Sequence, residues 1–233
     1  MQLSLPITSD GRLAEIHRGL LDAFGAPPAY YRLDPVSQLV LTMLSGRTRE
    51  PIAKRAFARL ANRYSSWEDL AHAQPEKIRW LINPVTHAER KAVFLPTALR
   101  LIMCRRGALN LNFLDVWPAE AAVAWLETLP GIGPKTSAAI LNFSPLHKPV
   151  LVVDTAHWRS ARRLGLVPMN ASFAKASCLL ARQIPDDWTA DDMENHHMLM
   201  QRLGKTYCTH ADPACGVCPL HLICPYGRHE TAH

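Results

Sequence analysis

The chain has 233 residues, of which 48% are hydrophobic and 20% are charged. A chain of this length and composition buries enough apolar surface to form a hydrophobic core. The chain as a whole is therefore not intrinsically disordered. No apolar run in the sequence reaches the roughly 20 residues that span a bilayer, and the first residues lack the pattern of a signal peptide. We therefore expect a cytoplasmic protein, nucleoid-associated if it is bacterial, without a membrane partner. We also expect it to be a monomer.

The chain is basic, since 26 Lys and Arg residues outnumber 20 Asp and Glu residues and give a net charge of +6. Six basic residues fall between positions 47 and 63, with only Glu50 opposing them: Arg47, Arg49, Lys54, Arg55, Arg59 and Arg63. A second basic group contains Arg159, Arg162 and Arg163. Any one such group is usually a solvated helix face. The overall asymmetry nevertheless favours a polyanionic partner, and nucleic acid above a membrane.

Helical patterns occur along nearly the whole chain. Asp34-Pro35 combines an N-cap residue with a proline at the first helical position, and predicts a helix to about Leu44. Thr189 with an aspartate three residues later predicts a capping box for a helix that ends at Gly204. The same period predicts helices over 52–64, 90–106, 117–126 and 172–183. The short β-like run 149–153 has no partner strand, and we interpret it as a buried loop that leads into a helix.

Four cysteines lie close together near the C-terminus, with the spacing C-x6-C-x2-C-x5-C: Cys208, Cys215, Cys218 and Cys224. A reducing cytosol argues against disulfides, so the cluster predicts a metal site. Structural zinc sites usually combine two C-x-x-C pairs, whereas unequal spacing with one close pair also occurs around cubane iron–sulfur clusters. The spacing alone leaves zinc and iron–sulfur equally supported. Cys104 and Cys178 lie in apolar helical segments, and we expect them in the core.

A glycine-rich turn covers residues 129–136, with the sequence LPGIGPKT. Gly131 and Gly133 allow backbone conformations that other residues resist, and the N–H groups of such a turn suit a phosphate. Lys135 falls in the first turn of the next helix, where the helix dipole disfavours the ammonium and helps to supply a neutral, nucleophilic amine. Without other context, contact with a phosphate or with solvent is the preferred interpretation of Lys135.

Asp154 follows the apolar run and precedes a helical segment. It suits a helix N-cap, and it also fits a carboxylate held in apolar surroundings beside an electrophilic carbon. The two roles are compatible. His196 and His197 lie on a predicted helix, where packing or hydrogen bonding is favoured over metal ligation.

Three of these motifs occur in the order found in the endonuclease III family of DNA glycosylases, within the helix-hairpin-helix superfamily, and the chain resembles that family. The motifs are the turn at 129–136, the segment Val153-Asp154-Thr155, and the four-cysteine pattern. Weaker similarity extends from about Asp34 to the C-terminus. The cysteine spacing is specific for members that carry a [4Fe-4S] cluster, and a lysine directly before Thr136 is specific for the bifunctional branch.

The resemblance implies an all-α fold of two helical lobes with a DNA cleft between them. Residues 28–145 would form a six-helix barrel that contains the helix-hairpin-helix motif. Residues 1–27 and 146–233 would form a discontinuous domain, in which the four cysteines bind the [4Fe-4S] cluster.

The resemblance also implies a base-excision repair glycosylase with AP lyase activity on double-stranded DNA that contains a damaged base, expected to be an oxidised pyrimidine, or an abasic site. Lys135 would attack C1′, expel the base and form a Schiff base that undergoes β-elimination. Asp154 would stabilise positive charge at the sugar and assist proton transfers. The amides of Gly131, Ile132 and Gly133 would hold a phosphate while the damaged nucleotide is flipped out.

Several positions depart from the pattern of this family. Gly46-Arg47 stands where the family carries Ala-Gln, so the arginine would fill the gap left by the flipped base. Residues 86–89 replace a loop beside the base pocket, and Ala156 replaces a histidine. These differences leave open a glycosylase for uracil, mismatched or alkylated bases, and a non-catalytic DNA-binding iron–sulfur protein. A monofunctional adenine-mismatch glycosylase is disfavoured by Lys135 and by the short segment after Cys224.

Overall fold

The computed structural model describes residues 9–230, and within them every regular element is helical and no strand occurs. The all-α prediction is therefore confirmed for this range. The α-helices are α1 (Ser9–Phe24), α2 (Pro35–Ser45), α3 (Glu50–Arg63), α4 (Trp67–Ala71), α5 (Pro75–Leu81), α6 (Ala88–Arg106), α7 (Ala119–Glu127), α8 (Pro134–Phe143), α9 (Thr155–Arg163), α10 (Phe173–Ala181), α11 (Ala190–Thr206) and α12 (Pro225–Glu230). Short 3-10 turns cover Asn112–Val116, Cys215–Val217 and His221–Ile223. None of the helices between residues 9 and 230 is long and apolar enough to cross a membrane.

The chain forms two compact units. One unit covers Tyr31–Val150 and contains α2 to α8; the other combines the residues up to Tyr30 with those from Leu151 onward, and contains α1 and α9 to α12. The boundaries expected from the sequence, at residues 28 and 145, stay a prediction.

The helix starts predicted from capping residues are confirmed. The Asp34 carboxylate accepts hydrogen bonds from the N–H groups of Val36 and Ser37, each at 3.0 Å, at the start of α2. Thr189 and Asp192 form the complete capping box of α11, which continues two residues beyond Gly204. The other predicted helices are also present, with ends that differ by a few residues.

The unit of residues 31–150 is built around the 19-residue helix α6, which packs against α2, α4 and α5. Helix α8 packs against α2 and α7. On α3 the apolar residues Ala53, Ala56 and Leu60 face the core, while the arginines at 55, 59 and 63 are exposed. The amphipathic pattern predicted for this helix is therefore confirmed, and its basic face is available to an anionic partner.

In the other unit α9 and α11 pack closely together. A β-carbon added at Gly204 would lie 2.9 Å from the β-carbon of Ala156, so only glycine allows this approach of the two helices. Leu151, Val152 and Val153 are buried without strand structure and lead into α9, as the sequence predicted. The packing of α9 on α11 therefore positions Asp154, the residue before α9, against α11.

The prediction for the two isolated cysteines is wrong, because Cys104 and Cys178 are both exposed. Cys104 lies two residues after the buried Ile102 on α6, which rotates it about 200° around the helix axis and away from the core. An apolar neighbourhood in the sequence did not distinguish the two faces of the helix.

Candidate active site and cysteine cluster

The glycine-rich turn packs directly against α2 and α6. Gly131 has a φ of +80°, and a β-carbon there would lie 2.9 Å from Met43 Cε and 3.1 Å from Phe94 Cβ. Both the backbone conformation and the lack of space therefore require glycine at position 131. This close contact fixes the turn on the α2–α6 surface.

The amides of the turn have different partners. The Ile132 N–H donates to the Leu129 carbonyl oxygen at 3.2 Å, and the Ile132 side chain is buried in the core. Within residues 9–230 the N–H groups of Gly131 and Gly133 have no hydrogen-bond acceptor. Gly133 has an extended backbone, and a β-carbon there would meet nothing within 4 Å. The surface beside Gly133 is thus open to a ligand.

Lys135 is the second residue of α8, directly after Pro134. The Gly133 carbonyl oxygen accepts from the N–H groups of Thr136 at 2.8 Å and Ser137 at 3.0 Å, which ties the turn to the start of the helix. The Ser137 hydroxyl also donates to the Glu127 carboxylate at 2.8 Å. The helix that carries Lys135 is therefore anchored at its first turn.

Lys91 on α6 is a second lysine near Lys135. Its Nζ donates to the carbonyl oxygens of Leu44 at 2.8 Å and Gly46 at 2.7 Å. Burial, and then the charge of Lys135, lower the pKa of Lys91 to about 8. Burial is the larger cause, so Lys91 is a lysine whose ammonium form is disfavoured by its surroundings. No local pattern in the sequence predicted these contacts of Lys91, because their acceptors lie more than 40 residues away.

Arg47 lies in the turn that follows α2. It is exposed and has a φ of +55°, a left-handed conformation that is uncommon for arginine. The Thr48 N–H donates to the Ser45 carbonyl oxygen at 3.0 Å, and the Thr48 hydroxyl accepts from the Thr86 N–H at 3.2 Å. The Arg47 turn is therefore joined to the 86–89 segment, so two of the departures from the family pattern lie side by side.

Asp154 is the N-cap of α9, as one of its two interpretations predicted. Its Oδ1 accepts from the His157 N–H at 2.8 Å, and its Oδ2 accepts from Gln201 Nε2 at 2.7 Å. Burial raises the pKa of the Asp154 carboxyl, but the charge of His197 and these two hydrogen bonds outweigh burial and hold the pKa below its ordinary value. Asp154 is thus an ionised, doubly hydrogen-bonded carboxylate at neutral pH.

Four buried histidines lie close to one another in the unit that contains Asp154: His17 on α1, His157 on α9, and His196 and His197 on α11. His197 Nδ1 lies 2.7 Å from the Val152 carbonyl oxygen. The ring centroids of His157 and His196 are 5.2 Å apart, and both residues are fully buried. The two ring nitrogens of His196 have no hydrogen-bond partner within the described residues. Burial lowers the pKa of His157 to about 3 and the pKa of His196 well below its ordinary value, so both rings are neutral.

The four clustered cysteines line one small cavity in the unit that contains α9 to α12, and none of them forms a disulfide. The Gly227 N–H donates to Cys224 Sγ at 3.3 Å, and Arg163 Nη1 donates to Cys208 Sγ at 3.5 Å. Burial raises the pKa of Cys215, Cys218 and Cys224, and the charges of neighbouring thiols raise it further. A bound cation would relieve this repulsion.

The distances between the sulfurs bear on the choice of metal. Four thiolates around one zinc ion, each about 2.3 Å from the metal, lie about 3.8 Å from one another. In the described part of the chain, no three of the cysteine sulfurs lie within 4.8 Å of one another. No three of these sulfurs are therefore as close together as the ligands of a single zinc ion.

Arginines of α9 hold the loop that carries the first of these cysteines. Arg159 donates to the Cys208 carbonyl oxygen at 2.8 Å and to the Gly204 carbonyl oxygen at 2.7 Å. Arg163 donates to the Thr209 carbonyl oxygen at 2.6 Å. These two arginines support the cysteine loop, so the interpretation of this basic group as a solvated helix face is wrong for them.

Residues 40–185 match the model of the HhH-GPD superfamily base excision DNA repair proteins. A protein of Arabidopsis thaliana that is named as a DNA glycosylase is 34% identical over 153 residues, which are 66% of this chain and 52% of that relative. The endonuclease III of Thermotoga maritima is 28% identical over 217 residues, which are 93% of each chain.

Among solved structures, a trapped covalent intermediate of endonuclease III with DNA has a TM-score of 0.79 to this chain at 21% sequence identity. The match covers 97% of this chain and 100% of that one. At this identity the likeness concerns the fold. The chain spans about half the length of the Arabidopsis relative and nearly all of the Thermotoga one.

Proposed function

Since the chain belongs to the HhH-GPD superfamily of base excision DNA repair proteins, we propose that it is a DNA glycosylase with AP lyase activity. Its substrate is double-stranded DNA that contains either a damaged base, namely an oxidised pyrimidine, or an abasic site. The protein acts as a monomer in the cytoplasm. The observation that carries the proposal is the position of Lys135 at the second residue of α8, next to the open turn and within reach of the charge of Lys91.

The reaction begins with the Lys135 amine. The nitrogen lone pair attacks C1′ of the nucleotide, the bond from C1′ to the base breaks, and the base leaves with a proton. The sugar ring then opens: the bond from C1′ to O4′ breaks, O4′ takes up a proton, and the nitrogen forms an iminium with C1′. The iminium loses a proton from C2′, and the bond from C3′ to its phosphate breaks by β-elimination. The place of Lys135 in the first turn of α8, where the helix dipole disfavours an ammonium group, supports the neutral amine that the first step needs.

Asp154 supplies negative charge during the same steps. Since its carboxylate is ionised and fixed by two hydrogen bonds, it would stabilise the positive charge that develops at the sugar as the base leaves. A fixed charge needs no reorganisation during the reaction, so its full effect is available in the transition state.

Binding of the DNA backbone rests on two surfaces of the unit of residues 31–150. The Gly131 and Gly133 amides would hold a phosphate, whereas the Ile132 amide already donates within the turn. The exposed arginines of α3 add non-specific attraction to the duplex. Arg47 would enter the space left by the flipped nucleotide, and its turn sets where it points.

The cysteine cluster fits a [4Fe-4S] group. Its thiols converge on one cavity, N–H groups point at two of the sulfurs, and the spacing of the sulfurs exceeds that of a zinc site. Cys208, Cys215, Cys218 and Cys224 would hold the cluster, which would stabilise the fold and respond to oxidants. No step of base excision passes through it.

The test of the proposed function is borohydride trapping on a duplex with one abasic site, together with base release from duplexes that each carry one lesion. Wild-type protein should form a covalent complex and release an oxidised pyrimidine. Lys135→Gln should lose trapping and still bind the duplex. Asp154→Asn should fold, because asparagine also caps helices, and should turn over more slowly by orders of magnitude.

Each outcome bears on a different part of the proposal. Undiminished trapping by Lys135→Gln would move the nucleophile elsewhere, with Lys91 as the first alternative because its pKa is about 8. Release of uracil, of a mismatched base or of an alkylated base in place of an oxidised pyrimidine would reassign the substrate and leave the reaction type intact. Duplex binding without trapping or base release would leave only a DNA-binding iron–sulfur protein.

A further inference from the structure

Gln201 lies next to the candidate carboxylate, in the middle of α11. Its Nε2 donates to Asp154 Oδ2 at 2.7 Å, and its Oε1 accepts from Lys205 Nζ, also at 2.7 Å. We propose that Gln201 and Lys205 are positioning residues, which fix the orientation of the Asp154 carboxylate and keep it ionised during the reaction. This inference rests on the proposed function, because it gives Asp154 the role described there.

Lys205 determines which way the Gln201 amide points. An ammonium group only donates hydrogen bonds, so the amide oxygen has to face Lys205. The amide nitrogen then faces Asp154, which is the orientation that a carboxylate requires. The reversed amide would place an oxygen against the carboxylate and an NH2 group against the ammonium. An exposed lysine one helical turn away therefore sets the polarity of an amide that contacts the site.

The carboxylate of Asp154 is held from two directions. The backbone N–H of His157 fixes Oδ1 from α9, and the Gln201 amide fixes Oδ2 from α11. Because α9 and α11 pack closely, rotation of the carboxylate would break one of these bonds. The titratable or charged groups that face Asp154 from these two helices are His157, Arg159, His197 and, through the amide, Lys205.

The two hydrogen bonds that Asp154 accepts make its carboxylate better suited to carrying a negative charge than to removing a proton. A carboxylate that accepts two hydrogen bonds is a weaker base, and its ionised form is favoured. The lowered pKa of Asp154 agrees with this geometry. The pair therefore favours a lasting negative charge beside the sugar, and it disfavours proton removal by Asp154.

The first variant is Gln201→Met, which keeps the length of the side chain and removes the donor. The acidic limb of the pH profile for base release should move to higher pH by about one to two units, since a hydrogen bond to a charged group changes an equilibrium about 10-fold to 100-fold. The carboxyl carbon resonance of Asp154, followed by NMR against pH, should show the same upward shift. The affinity for duplex DNA should stay unchanged.

Lys205→Met provides a variant with little risk to folding, because Lys205 is exposed. It should move the acidic limb in the same direction by a smaller amount, on the order of threefold in the protonation constant, because the amide loses its orienting partner. Lys205→Arg should restore the wild-type profile. The matched control is Lys175→Met, which removes an exposed lysine of α10 and should leave the profile unchanged.

The inference and the proposed function fail in different ways. Wild-type protein without trapping or base release contradicts the proposed function, and the Asp154 titration by NMR still tests the positioning pair. An Asp154 titration and a pH profile that match wild type in Gln201→Met would overturn the inference and reduce Gln201 to a packing residue. If the acidic limb moved as far in Lys175→Met as in Lys205→Met, the inference would also be overturned. The loss of one positive charge anywhere on the surface would then explain the shift.

Discussion

The buried residues His157 and His196 should make the stability of the protein fall steeply below neutral pH. His157 and His196 are fully buried and neutral in the folded chain, while in the unfolded chain both titrate near 6.5. The unfolded state therefore binds more protons than the folded state once the pH drops below 6.5. Stability that is present above pH 6.5 is lost as the pH falls toward the folded pKa values.

The size of the effect follows from proton linkage. Between pH 7.5 and pH 5.5, one histidine that stays neutral when folded and titrates at 6.5 when unfolded costs about 1.4 kcal/mol. His157 and His196 together should lower the free energy of unfolding by about 3 kcal/mol, a large share of the 5–15 kcal/mol typical of a domain. Asp154 does not oppose this change, because its carboxyl titrates below this range.

The assay is urea unfolding at the two pH values, followed by circular dichroism, for wild type and for His196→Leu. The variant should lose about half of the pH dependence, whatever its stability at pH 7.5. His72→Gln is the matched control, because it also removes one histidine but takes it from the surface of the protein. An equal pH dependence in wild type and His196→Leu would refute the reasoning, since it would mean that the ring is protonated in the folded protein.

Three further predictions follow from the turn, the cysteines and Lys91. Gly131→Ala should lower the melting temperature, whereas Gly133→Ala should leave it unchanged and weaken duplex binding about tenfold, because its β-carbon projects into open space beside the phosphate site; equal melting temperatures would contradict this. Purified protein should contain about four irons per chain by elemental analysis, unchanged in Cys104→Ala and Cys178→Ala, and stoichiometric zinc without sulfide would contradict it. Lys91→Met should lower the free energy of unfolding by about 2 kcal/mol, measured with urea, because the hydrogen bonds to two backbone carbonyl oxygens are lost. A variant as stable as wild type would contradict a structural role for Lys91.

Local patterns in the sequence were sufficient to predict the helices and the residues that cap their N-termini. The side chain of Asp34 and the capping box at Thr189 act within three residues of themselves, so their effects are visible in the sequence. The buried run before Asp154 was recognised for a related reason, because a short β-like segment without a partner cannot satisfy its edges.

Contacts between residues that are distant in the sequence could not be predicted from local patterns. Gln201 lies 47 residues from Asp154, and no local pattern joins the two, although its spacing of four residues from Lys205 is a recognisable helix pair. The role of Arg159 was missed for the same reason, since its acceptors lie in the cysteine loop. A cluster of positive charge looks the same in a sequence whether it binds DNA or backbone carbonyls.

Because Cys104 and Cys178 are exposed, their reaction with a thiol reagent can serve as an internal standard when the fraction of chains that carry metal is measured. Thiol reagents attack accessible thiolates, so in chains whose clustered cysteines are ligated only these two of the six should react quickly. Acid treatment that removes the metal should release the remaining four as a slower phase, because those side chains are less accessible. The ratio of the two amplitudes then reports the loaded fraction of any preparation, with the fast phase as the internal standard for protein concentration.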